Sequence, residues 1–214
     1  MVEFKRPSKE LMEELQRYDT PGFSDAFDEI GFHGVITGIR PLKPGSKLVG
    51  VALTAKTRDL RPVTKTTELS SVVSQCHSGD VLMLDAGGAQ AGTWGGLMTL
   101  IAQHYKLGGV IIDGCTRDAS EIVEANFPCW STGVVPLSVV SRLRTVSVME
   151  PVALRGVTVR PGDIVIADDD GAIVCPQDLL EEVLPRVRAH YEWEQQTKDE
   201  LRRGIFDSIK KRVT

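Results

Sequence analysis

The chain has 214 residues, 42% hydrophobic and 25% charged. That is an ordinary globular composition, and it excludes a disordered chain, a collagen-like repeat and a disulfide-stapled miniprotein. Its 29 acidic and 25 basic residues give a net charge of −4, whereas a nucleic-acid-binding face needs excess cation to neutralise phosphates, so no nucleic-acid partner is expected.

No apolar run approaches the ~20 residues that span a bilayer, so no membrane partner is expected. The start, Met1 to Pro7, lacks the apolar stretch of a secretion signal. Four cysteines, Cys76, Cys115, Cys129 and Cys175, are scattered without a CxxC pair or a histidine at ligand spacing. They fit reduced, mostly buried thiols in a cytoplasmic protein better than a zinc site. The length suits one domain over residues 1–214.

In chain order, Ser8 is placed to cap a helix over Lys9 to Tyr18, where Leu11, Met12 and Leu15 share one face. Thr20-Pro21-Gly22 reads as a break, and Ser24 as the cap of a short helix ended by Gly31. Leu48 to Thr57 alternates as a strand. A helix over Glu68 to Cys76, a turn and the strand Val81 to Leu84 follow, then a Gly-rich loop from Asp85 to Thr93. A helix over Leu97 to Lys106 precedes Val110-Ile111-Ile112, an apolar strand that suits burial on both faces under helices. A further helix starts near Asp118, and Phe127 to Ser131 leads into another strand. Beyond Pro136 come short strands around Val146–Met149, Val157–Val159, Ile164–Ala167 and Ala172–Cys175, the last two joined by an Asp169-Asp170-Gly171 turn. Leu180, Val183, Leu184, Val187 and Tyr191 form one stripe of a long C-terminal helix, about residues 177–203. The pattern is α/β with β-rich additions.

Two strand-to-helix junctions can carry chemistry. Gly87 to Gly96 has glycines that let backbone N–H groups approach an anion at a helix start. It matches neither a P-loop nor a dinucleotide fingerprint, so a structural turn and an anion cradle both stay open. Gly114-Cys115-Thr116-Arg117-Asp118 follows a strand directly, where open α/β sheets bind ligands. Arg117 can grip a carboxylate and Asp118 can hold a hard divalent cation. Alternatively, Asp118 caps its own helix while Arg117 makes a surface ion pair.

The segments Gly79-Asp80-Val81 to Gly88, Trp94-Gly95-Gly96-Leu97 and Gly109 to Asp118, taken in order, resemble the RraA-like family. That family includes class II 4-hydroxy-4-methyl-2-oxoglutarate and 4-carboxy-4-hydroxy-2-oxoadipate aldolases. The match extends to Ser24-Asp25-Ala26, Pro161-Gly162-Asp163 and Asp169-Asp170-Gly171. It implies an α/β/β/α sandwich in homotrimers or homohexamers, with sites between subunits and the C-terminal helix packed on a neighbour. It implies Mg²⁺ or Mn²⁺ held directly by Asp118, and through water by Glu194 of a neighbouring subunit. A small α-keto acid would be held by Arg117 at its keto oxygen, with Leu97 and Met98 offering N–H groups beside Gly95 and Gly96. The aldolases carry an acidic residue at the position of Gly96, so the outer metal shell is expected to be altered here. The implied reaction is carbon–carbon cleavage through a pyruvate enolate, either retro-aldol or oxaloacetate decarboxylation. The family's other branch regulates ribonuclease by binding it, and Gly96 also leaves open a related lyase or hydrolase for a different, larger keto acid.

Overall fold

The computed structural model describes residues 4–59 and 68–212, with side chains through 209. Residues 1–3 of the start, and the side chains of Lys210-Lys211-Arg212, lie outside that description. The helices are α1 (Lys9–Leu15), α2 (Thr20–Ile30), α3 (Leu69–Val73), α4 (Gly96–His104), α5 (Ala119–Glu124), α6 (Gln177–Arg202) and α7 (Asp207–Arg212). The strands are β1 (Val35–Ile36), β2 (Arg40–Pro41), β3 (Leu48–Asp59), β4 (Val81–Gly92), β5 (Gly109–Thr116), β6 (Cys129–Ser131), β7 (Gly133–Val134), β8 (Leu143–Val148), β9 (Val152–Leu154), β10 (Val157–Val159), β11 (Ile164–Asp168) and β12 (Gly171–Cys175).

Pairing runs β1-β12-β11-β3-β4-β5-β6-β2, with β8 added to β3 and β7 to β5, and β9-β10 a separate hairpin. Strands β3 to β6 are parallel, whereas β11 joins β3 and β12 antiparallel. Successive strand side chains point to opposite faces, and this sorts the apolar residues into three cores. Ile164 and Ile166 of β11, with Ile173 and Cys175 of β12, pack on α1, α2 and α6. Their neighbours Val165, Ala167, Ala172 and Val174 turn inward to meet Val81, Met83 and Ile111. Leu82, Leu84, Val110 and Ile112 face the other way, with Ala102 of α4 and Ile122 of α5. Strand β3 supplies all three, through Val49 and Val51, then Leu48 and Ala52, then Leu53 and Ala55. The order of layers is therefore helix, sheet, sheet, helix.

Several boundaries move. Helix α2 starts at Thr20, not at Ser24. Asp19 accepts from Gly22 N at 3.0 Å, and Pro21 sits in the first turn, where its missing N–H costs nothing. The Asp168 carboxylate then holds Thr20 through both its N and Oγ1, each at 2.7 Å. Helix α3 is shorter than the pattern suggests. The Gly-rich stretch is not a free loop. It continues β4 as far as Gly92, with Ala86-Gly87-Gly88 bulged out between the pairs Asp85↔Asp113 and Ala89↔Gly114. Val110 to Ile112 is covered by helices on one face only; the second sheet layer covers the other. The Asp169-Asp170 turn does link β11 to β12.

The apolar stripe of α6 is buried at Leu180, Val183, Leu184 and Val187, against α2 of the same chain. Burial pushes the Cys129 and Cys175 thiols up to about 12, which suits inert core cysteines. No helix among the described residues is long and apolar enough to cross a membrane.

Glu14 ties α1 to α6, accepting from Arg188 Nε at 2.6 Å and Nη2 at 2.8 Å. The Arg188 guanidinium lowers its carboxyl from 4.5 to about 2. A carboxyl depressed in the folded state stabilises above its unfolded pKa, and that stability is lost as pH falls through the folded value. Glu14→Gln is therefore expected to flatten the loss of urea-unfolding free energy between about pH 5 and about pH 2. A slope equal to that of the wild type would show that the pair contributes nothing.

Candidate active site

The parallel strands β4 and β5 end side by side, and the chain leaves each toward a helix. Thr93 donates to the Cys115 carbonyl from both N (2.9 Å) and Oγ1 (3.1 Å). In return, Arg117 N (3.0 Å) and Thr116 Oγ1 (2.9 Å) donate to the Trp94 carbonyl. Trp94 is buried, stacked on Phe127 at 5.9 Å, with Nε1 on Thr99 Oγ1 at 2.9 Å. These bonds join the two junctions into one unit.

Asp118 stands between β5 and α5 with φ 53° and ψ 40°. For a residue other than glycine this left-handed conformation costs roughly 1–2 kcal/mol, least for Asn and Asp. Its side chain does not cap α5. Oδ2 instead accepts from Gly96 N at 3.1 Å, at the start of α4, and faces Arg117 Nε at 3.3 Å. Own-helix capping is thus excluded, and the adjacent ion pair is present. The side chains of Arg117 and Asp118 remain 39% and 33% exposed, open to a ligand. The Leu97 and Met98 N–H groups lie in the first turn of α4, where no intrahelical acceptor exists.

Three glycines permit this approach. A Cβ at Gly92 would lie 2.8 Å from Arg117 Cβ, and one at Gly95 would lie 2.5 Å from Asp118 Oδ2. A Cβ at Gly96 would fall 1.9 Å from Glu121 Oε2. The carboxylate of Glu121 therefore occupies the space of the missing side chain at position 96. Glu121 is the residue the sequence reading missed. The available signal was its spacing of three from Asp118, which puts both side chains on one side of the α5 start.

The donors present suit a hard divalent cation. Asp118 Oδ1 has no protein partner among the described residues, and the Glu121 carboxylate is near. No group of three or more His, Cys, Asp or Glu that could hold a metal occurs among the described residues. Mg²⁺ commonly takes one or two carboxylates and completes its shell with water and substrate, so the pair fits such an ion. Glu194 is not brought to this pair within one chain. It lies on α6, in the opposite helix layer, bonded to Lys198 Nζ at 2.6 Å. A cleft of about 1400 Å³ between Phe4, Arg6, Val72 and Met149 includes none of these residues.

The family model for RraA-like proteins, described as Aldolase/RraA, matches residues 20–174. The chain belongs to the RraA-like family. It is 28% identical to a Halalkalibacterium halodurans protein named "Putative 4-hydroxy-4-methyl-2-oxoglutarate aldolase", over 94% of this chain and 90% of that protein. It is 30% identical to protein DlpA of Legionella pneumophila over 91% of this chain, and spans about a third (32%) of DlpA's length. Among solved structures, RraAS2 of Streptomyces coelicolor, titled an unusual member of the RNase ES inhibitor RraA family, superposes with TM-score 0.83 at 32% identity. That match covers 92% of this chain and 99% of RraAS2. A Pseudomonas syringae protein superposes with TM-score 0.84 at 29% identity, over 94% and 96% of the two chains. These RraA-like matches bear out the α/β fold with its long C-terminal helix.

Gly95 has extended backbone (φ −166°) that alanine can adopt, so Gly95→Ala tests the close approach alone. It is expected to push Asp118 Oδ2 off Gly96 N and cost about 1–2 kcal/mol in urea unfolding. Gly96→Ala meets only the flexible end of Glu121 and should cost less. Equal losses would contradict this geometry.

Proposed function

We propose that this chain is a divalent-metal-dependent carbon–carbon lyase for small α-keto acids, acting through a pyruvate enolate. The observation that carries the reading is the meeting of Arg117, Asp118, Glu121 and the α4 start at one junction. Mg²⁺ or Mn²⁺, when bound, supplies Lewis acidity toward the keto and carboxylate oxygens. Asp118 would hold the cation, since Gly96 N engages only one of its carboxylate oxygens. Arg117 donates N–H bonds where enolate charge develops, and its rigid guanidinium needs no reorganisation there. Leu97 and Met98 N–H groups bind the substrate carboxylate with the favourable helix dipole behind them.

Retro-aldol cleavage needs a base for the C4 hydroxyl proton, whereas oxaloacetate decarboxylation reaches the same enolate by losing CO₂. Glycine at position 96 removes the usual acidic residue. Glu121 restores a carboxylate in that space and is the acceptor for this proton. The 4-hydroxy-4-methyl-2-oxoglutarate-type reaction therefore belongs to the reading beside decarboxylation.

The site in one chain is open. Leu97 and Leu100, on the outer side of α4, are 77% and 61% exposed, which supports coverage by a second copy in a homotrimer or homohexamer. Such a copy is also the means by which Glu194 of another α6 reaches the cation. A second reading, a protein-binding regulator without catalysis, is favoured by the similarity to RraAS2.

Oxaloacetate turnover with Mg²⁺ or Mn²⁺, abolished by EDTA, is the expected outcome. Asp118→Ala should lower it at least about a hundredfold. Glu121→Gln should weaken Mn²⁺ binding, read by calorimetry, about tenfold, the scale for a group that orients a metal shell. Metal-independent turnover, or an Asp118→Ala protein as active as wild type, overturns the lyase. Absence of turnover across keto acids, with a ribonuclease bound and inhibited, supports the regulator.

A further inference from the structure

Beside the catalytic junction lies a second, smaller recess of about 450 Å³, lined by Asp59, Gln90, Ala91, Leu137, Ser141 and Arg142, among others. It sits at the carboxyl ends of β3 and β4, the edge where open α/β sheets bind ligands. Backbone links tie it to Arg117. Ala91 lines the recess, and the next residue, Gly92, packs on the Arg117 stem, where a Cβ would lie 2.8 Å from Arg117 Cβ. Gly92 N donates to the Leu137 carbonyl at 2.8 Å, while Val135 N, earlier in the same segment, donates to the Thr116 carbonyl at 2.9 Å. The segment that carries Arg142 therefore wraps the end of β5 on its way to the recess.

The charge around this recess is unbalanced. In the β3–β8 ladder, Arg58 stands directly opposite Arg144, a pairing of like charges that destabilises a sheet unless something offsets it. Arg58 is engaged by the buried Asp85, with Nη2 on Oδ2 at 2.8 Å. Arg144 reaches only the Leu143 carbonyl, at 3.3 Å, and Arg142 only the Ser138 carbonyl, at 3.0 Å. Neither has a carboxylate partner among the described residues. Two turn bonds, Arg142 N and Leu143 N to the Val139 carbonyl at 3.0 and 3.1 Å, hold Arg142 at the rim. Ser141 adopts φ 64° there. Among the described residues Asp59 is the one carboxylate on the lining, and Gln90 adds an amide.

We propose that Arg142 binds a second carboxylate of the substrate, and so selects keto acids with two carboxylates over those with one. This rests on the lyase reading, which places the first carboxylate at the α4 start. A guanidinium with most of its N–H donors uncommitted presents the flat two-pronged face that a carboxylate matches. Arg144, which has no carboxylate partner among the described residues, raises the local potential behind it.

Binding separates this proposal from the chemistry. Calorimetry with Mg²⁺ present would compare pyruvate, with one carboxylate, and 2-oxoglutarate, with two, on wild type, Arg142→Gln and Arg142→Lys. Wild type is expected to bind 2-oxoglutarate at least about tenfold tighter than pyruvate, the scale of one charge-assisted bond pair. Arg142→Gln should lose that advantage while its pyruvate affinity stays within about twofold of wild type, and Arg142→Lys should keep part of it. Circular dichroism and gel filtration check that the variants keep the wild-type fold and assembly. Equal weakening of both ligands, an unchanged preference in Arg142→Gln, or no preference in wild type overturns the proposal. If the preference follows Arg142 but oxaloacetate is never turned over, the recess stands and the lyase reading fails. If oxaloacetate is turned over with a KM indifferent to Arg142, the lyase stands and the recess fails.

Discussion

The two strand-to-helix junctions pass each other closer than any Cβ allows. At Gly92, Gly95 and Gly96 a side chain would collide with Arg117, Asp118 and Glu121 in turn. That steric constraint makes the site possible. It lets the Asp118 carboxylate bond to the first N–H of α4, and it places Arg117 beside the unpaired N–H groups that follow. Reciprocal bonds between Thr93, Cys115, Trp94 and Arg117 hold the approach, and burial of Trp94 in the outer core anchors it. Such a site is preorganised because its supports are backbone groups and a packed aromatic ring, which have little freedom to relax.

The layer order sets a second limit. Two sheets separate α6 from the α4–α5 layer, so a residue of α6 cannot meet Asp118 within one chain. The N-terminal half of α6 is spent on its own core, through Leu180, Val183, Leu184 and Val187. Its C-terminal half is partly exposed, with Glu194 half-buried. On the proposed reading the site lies between copies, where burial of the exposed apolar face on α4 offsets the cost of ordering the contact.

Much of the fold was legible. Alternation located β3, an Asp-Gly turn between two apolar runs located β11 and β12, and period-three-and-four spacing located α6, because local spacing and turn chemistry mark where the chain buries its apolar residues. The errors fell where long-range contacts outvote local signals. Thr20-Pro21-Gly22 looked like a break because Pro and Gly disfavour helix interiors, yet the Asp168 carboxylate, far away in sequence, captures Thr20 and starts the helix there. Asp85 to Gly92 looked like a loop because glycines weaken strands, yet β5 pairs with it on either side of a bulge.

By itself, the sequence determined the layer-forming pattern, the core stripes, and the Arg117-Asp118 pair at a strand end. All of these follow from local spacing and residue chemistry. Only the tertiary structure decided how position 96 is used. Read along the chain, Gly96 is a lost carboxylate; in space, its absent side chain is the room that Glu121 fills. The difference is physical, because an absence in sequence has no position until a neighbouring helix packs against it. The composition of a mildly acidic globular chain likewise says nothing of Arg142 and Arg144, which meet carbonyls but no carboxylate among the described residues. Net charge sums over the whole chain, whereas a ligand responds to the charges that the fold sets beside it.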